Sequence, residues 1–124
     1  FEVNTLGPLR LVQSLRDNLQ ASSKVAVITS RMGSIGDNTS GGFYGYRISK
    51  AGVNMVVKCL SLDLQAHDIA VGVFHPGYVQ TDMTGHRGDV TAEACAANLV
   101  KRFDELSLAT TGCFFHANGE PLPW

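Results

Sequence analysis

Cysteine is scarce here, and the three present (Cys59, Cys95 and Cys113) lie far apart, with no C-x-x-C pair. An odd, scattered set excludes a disulfide framework and a thiolate zinc site, and predicts reduced thiols in a cytoplasmic protein. The histidines, His67, His75, His86 and His116, also lack ligand spacing, so no metal is expected. No excess of either charge exists: the formal net charge is −1, which excludes the basic field that nucleic acid requires. No apolar run approaches the roughly 20 residues of a membrane span, and no charged start leads into an apolar secretory segment. Internal repeats and low-complexity tracts are missing too. The chain of 124 residues opens at Phe1, without a methionine and inside a patterned segment. It therefore reads as a piece of a longer protein, one domain at most.

What is there alternates between two periods. Leu6, Leu9, Leu11, Val12, Leu15 and Leu19 recur at helical spacing to about Gln20, with Pro8 tolerable in a first turn. "KVAVITS" (24–30) is a β-branched run typical of a strand buried on both faces. A polar, glycine-rich loop follows. From Phe43 to Gln65, Ile48, Ala51, Met55, Val56, Cys59 and Leu62 form a long helical stripe. "IAVGVFHPG" is a second buried strand ending in a turn. The segment Tyr78–Val90 has no period and reads as a mobile loop. Thr91 then caps a helix with Glu93 in its first turn and Ala94, Ala97, Leu99, Val100 and Phe103 as its apolar face. "GCFFHANGE" is a third short strand. Buried strands alternating with helices predict an α/β, doubly wound parallel sheet, with strands near Val25–Ser30, Ala70–Phe74 and Gly112–Ala117.

In such a sheet, chemistry gathers at the carboxyl ends of the strands. Ser30 ends the first strand and His75-Pro76-Gly77 ends the second. "GYRISKAG" puts Tyr46 and Lys50 one helical turn apart on the helix after the serine loop. Alone, that pair is common on solvated faces. An ammonium so close favours the phenolate, however, which makes the phenol a usable acid near neutral pH. A hydroxyl, a phenol and an ammonium at one sheet edge suit delivery of a proton to a carbonyl oxygen while hydride reaches its carbon.

Four segments in this order, "EVNTLGPLRL", "VAVITS", "YRISKAG" and "FHPGYVQTDM", resemble the carboxyl-terminal half of a short-chain dehydrogenase/reductase. "SRMGSIGDNTSGGFYGYRISKAGVN" and "LPW" most resemble its C-factor/sniffer-like carbonyl reductases. The resemblance covers essentially the whole chain. It implies a Rossmann fold and NADP or NAD as cofactor, with Tyr46 as general acid/base and Lys50 holding the nicotinamide ribose. Ser30 would then bind the substrate oxygen, and Asn4 would keep a backbone kink and a proton-relaying water. Pro76, Gly77, Val79 and Thr81 would meet the nicotinamide carboxamide. Two assignments stay open. The family often spaces its serine between the positions of Ser30 and Ser34 relative to the tyrosine; Ser30 is favoured because a strand fixes its direction. Tyr44 rivals Tyr46 but falls on another helix face from Lys50.

The family's glycine-rich pyrophosphate turn does not occur in these residues; "GSIGDNTSGG" sits between a strand and the tyrosine helix, the wrong context. Residues 1–124 thus read as the catalytic half of a single Rossmann domain, the dinucleotide-binding half lying elsewhere. Two functions follow: an NAD(P)-dependent oxidoreductase that reduces a small carbonyl substrate or oxidises an alcohol, as a homo-oligomer, or a catalytically silent fragment serving as an interaction or signalling module. Met83 and His86 are the expected pocket-lining residues of the loop from Gln80 to Asp89.

Overall fold

The computed structural model describes residues 1–124, with the side chain of Asp82 set aside. Its elements are α1 (Gly7–Ser14), β1 (Lys24–Ile28), α2 (Tyr44–Gln65), β2 (Ala70–His75), β3 (Val79–Gln80), β4 (Val90–Thr91), α3 (Ala92–Glu105) and β5 (Cys113–His116). A π-helical turn, Glu2–Leu6, runs into α1, with Pro8 in the first turn as its missing N–H allows. The main sheet has the order β1-β2-β5, and both pairings are parallel. Register matches Val25 to Val71, Val27 to Val73 and His75 to His116. This is the α/β parallel sheet that the alternating pattern predicts.

The core lies mainly between β2 and α2. Val57, Leu60 and Leu64 pack on Ile69, Val71, Val73 and Phe114, with Leu9, Val12 and Leu19 closing the edge. A second cluster joins Ala70 and Phe74 to Leu106, flanked by Leu99 and Phe103 of α3. Burying these side chains contributes roughly 25 cal/mol per Å² of apolar surface, and that term holds both helices to the sheet.

Several orientations differ from the sequence pattern. β2 is buried on both faces, but β1 is not. Val25 and Val27 face the α2 core, whereas Ile28 is 42% exposed on the other face. The apolar side of α3 covers β2 and β5, and at its carboxyl end the Phe103 and Asp104 carbonyls accept from Lys24 Nζ of β1. The α2 stripe is largely turned around: Val56 packs on the core, but Ile48, Met55, Cys59 and Leu62 are exposed, and Val53, Val57, Leu60 and Leu64 point inward. On α3, Leu99 and Phe103 do pack inward, but Ala94, Ala97 and Val100 are exposed and Cys95 is buried instead. Thr91 caps α3 as expected, accepting the Ala94 amide at 3.1 Å.

The segment after β2 is not simply irregular. β3 and β4 pair in parallel and close it on itself, and the Thr84 hydroxyl donates to Val79 O at 2.9 Å. Gly88 makes the closure possible, since a Cβ there would lie 2.5 Å from Tyr78 O. Two-residue ladders leave no period to read. Among the described residues, no helix is long and apolar enough to cross a membrane.

Candidate active site

α2 starts at the carboxyl edge of the sheet and carries Tyr46 and Lys50 on one face. The Lys50 Nζ lies 5.8 Å from the Tyr46 ring centroid, a cation–π geometry. Partial burial pushes the Lys50 ammonium below its usual range. Tyr46 faces an open cleft that it shares with Met32, Phe43, Tyr78, Met83 and Arg87. Tyr44 is 78% exposed in the first turn of α2. His86, expected as a pocket residue, does not line this cleft; Arg87 and Met83 do.

Asn4 sits in the π-helical turn, a local kink. Its Nδ2 donates to Ser49 Oγ at 3.1 Å, and Ser49 Oγ donates to the Tyr46 carbonyl at 2.8 Å. Thr5 Oγ1 donates to the Ser49 carbonyl at 2.7 Å. The kinked turn is thereby fastened to α2 between Tyr46 and Lys50.

The two serines lie in different surroundings. Ser30 caps the short turn Arg31–Gly33, its Oγ accepting the Met32 amide at 3.1 Å, and it opens on a cleft with Arg47, His75 and Tyr78. Ser34 is buried, accepts the Asp37 amide and donates to Pro123 O at 2.5 Å. Ser30 and Tyr46 therefore open on adjoining clefts that share Met32 and Tyr78, while Ser34 is turned away toward the Leu122–Trp124 segment.

Two contributors carry no motif signal. At Gly33 a Cβ would come within 2.7 Å of the Lys50 backbone, so only glycine lets the serine loop lie on α2. Arg47 binds the loop ahead of α2, donating to Gly42 O at 3.0 Å and to Ser40 Oγ at 3.1 Å. Y-x-x-x-K leaves its three middle positions unspecified and so passes over Arg47.

Beyond β2, the Pro76 carbonyl accepts the Cys95 thiol at 3.3 Å, and Gly77 takes the left-handed φ of +93°. Val79 lies in the short ladder, and the Thr81 carbonyl accepts the Thr84 and His86 amides. The Pro76–Thr81 segment is thus a hydrogen-bonded turn whose Tyr78 lines the Tyr46 cleft.

A family model, short chain dehydrogenase, matches residues 1–92. The chain belongs to the short-chain dehydrogenase family. The matched span contains every residue expected in the site, from Asn4 to Thr81. Among its family relatives, 1-hydroxy-2-glutathionyl-2-methyl-3-butene dehydrogenase of Rhodococcus sp. (strain AD45) is 47% identical over 128 residues, covering 100% of this chain and 57% of that protein. C-signal of Myxococcus xanthus is 40% identical over 126 residues, covering 100% and 76%. In structure, the carbonyl reductase Sniffer of D. melanogaster superposes with a TM-score of 0.89 at 29% identity, covering 99% of this chain and 55% of that one. The NADPH-bound carbonyl reductase from chicken fatty liver gives 0.84 at 32% identity, covering 98% and 54%. This family member spans about half the length of most of these relatives.

Proposed function

We propose that the protein carrying this chain is an NAD(P)-dependent oxidoreductase that reduces a small carbonyl compound, with this segment as its catalytic half. The observation that carries the reading is the Lys50 ammonium over the Tyr46 ring, in a cleft adjoining the one onto which Ser30 opens at the end of β1. The residues present suit a nicotinamide: Gly77 has no side chain to block close approach of the ring, and Lys50 supplies a donor for its ribose. A bound NADPH or NADH would supply the hydride. Tyr46 gives its phenolic proton to the substrate oxygen, and Lys50 stabilises the phenolate left behind. Ser30 already accepts at Oγ from the Met32 amide, which leaves its own proton for the same oxygen. Asn4, through Ser49, fixes the turn of α2 that holds both Tyr46 and Lys50.

Ser30→Ala against Ser34→Ala tests the serine by steady-state kinetics on the full-length protein. Loss of one oxyanion donor is expected to cost Ser30→Ala about 10²–10³-fold in kcat. Ser34→Ala should act on stability, because it removes a buried bond to Pro123 O. The reverse pattern would reassign the role.

A second reading, an interaction module without turnover, draws support from the exposed apolar side chains Val3, Leu11 and Leu15 of the first helical segment and Ile48, Met55 and Leu62 of α2. The 124-residue segment alone, lacking a glycine-rich phosphate turn, is expected to bind NADPH negligibly and to self-associate through these faces and the open β1 edge. Isothermal titration beside light scattering checks both. Micromolar binding by a monomer would refute the half-site reading.

A further inference from the structure

We infer that His75, braced by His116, is a positioning residue that sets the Ser30 loop at a fixed distance from the Pro76–Gly77 turn. The inference rests on the reading of Ser30 as the donor to the substrate oxygen. His75 and His116 are register partners at the carboxyl edge of β2 and β5, and their rings meet edge to face at 5.1 Å and 85°. On one side, His75 Nδ1 accepts the Arg31 amide at 3.0 Å, one residue after Ser30. On the other, the His116 ring lies against Gly77, where a Cβ would sit 3.3 Å from its Cε1. The two imidazoles thus stand between the serine loop and the Pro76–Gly77 turn and touch both.

The brace works only with His75 neutral. A ring that accepts at Nδ1 carries its proton on Nε2. His116 Nδ1 likewise accepts the Asn118 amide at 3.0 Å. The charged groups facing the pair are Arg31 and Asp37 of the serine loop, ion-paired at 3.3 Å, and Glu120 after β5. Burial lowers the His75 pKa to about 4, His116 and Arg31 push the same way, and Asp37 opposes them. Burial and Arg31 lower His116 too, against Glu120. Protonation of His75 sets N–H against the Arg31 N–H and releases the loop. The sign follows: the unfolded chain takes the proton first, so this contribution is full above about pH 6.5 and is lost as pH falls from there to about 4.

The test uses the full-length protein with NADPH and a carbonyl substrate. His75→Leu keeps bulk but no acceptor, and is expected to lower kcat about 10²-fold, as an ångström-scale misplacement does, with KM for NADPH little changed. His75→Asn places an amide oxygen near the lost Nδ1, recovers most of that kcat, and loses the acid limb of the pH profile. Wild-type kcat in His75→Leu, or equal impairment of both variants, overturns the inference. A second readout needs no turnover. In the wild type, the Arg31 amide resonance is expected to move with the His75 imidazole on acid titration. If no carbonyl is reduced at all, the proposed activity fails and this titration still decides the brace: a moving Arg31 amide supports it, and a stationary one overturns it.

Discussion

Tyr46→Phe in the full-length protein is expected to lower carbonyl reduction by about 10²–10⁴-fold, the usual worth of a positioned proton donor. The change deletes one oxygen and leaves the ring in the cleft, where it still lies under the Lys50 ammonium. NADPH affinity should therefore hold while kcat collapses, a split that initial-rate kinetics and a cofactor titration resolve together. Tyr44→Phe is the control, because that phenol is solvated in the first turn of α2. Near-normal turnover in Tyr46→Phe, with activity abolished in Tyr44→Phe, would transfer the acid role to Tyr44.

Phe74→Ala is expected to destabilise the fold by about 3–5 kcal/mol, the range for emptying a buried aromatic site. Phe74 is 1% exposed, pairs edge to face with Phe103 at a centroid distance of 5.2 Å, and is the main side chain between β2 and α3. Little can collapse into the space, since Ala70 and Leu106 are already packed against it. Urea unfolding should show a lower midpoint at an unchanged slope. Leu62→Ala, at a residue 61% exposed on the outer face of α2, should stay within about 0.5 kcal/mol of the parent. A Phe74→Ala cost below about 1 kcal/mol would mean that the α3 contact is not a stabilising one.

These positions also divide what the sequence makes legible from what it hides. The three parallel strands and the span of α2 follow from β-branched runs, turn residues and period alone, all local signals. The face of α2 does not. Ile48, Met55 and Leu62 satisfy the helical period, and so do Val53, Val57, Leu60 and Leu64. The inward choice is made by partners distant in sequence, such as Thr29, whose hydroxyl donates to Asn54 Oδ1 at 2.8 Å across 25 residues. Buried Ser49, Asn54 and Ser61 therefore mark the core side although they are polar. Tyr46 and Lys50 are legible as a pair because one helical turn joins them. His75 is not, because its Arg31 partner lies 44 residues away. Spacing leaves the choice between Ser30 and Ser34 open, and the surroundings that set Ser34 apart depend on Pro123, 89 residues beyond it.

That last contact has a consequence in time. Ser34 Oγ and the Ile35 amide are bound by Pro123 O and Trp124 O, the latter at 2.6 Å. The Trp124 ring lies 5.3 Å from that of Phe114, centroid to centroid, on β5. A ribosome makes the serine loop early and its two far partners some ninety residues later. Until Trp124 has emerged and docked beside β5, the loop lacks both bonds, and closing so long an intervening stretch is entropically costly. The serine loop thus reaches its final geometry only after residues 123 and 124 have been made, however early α2 has formed.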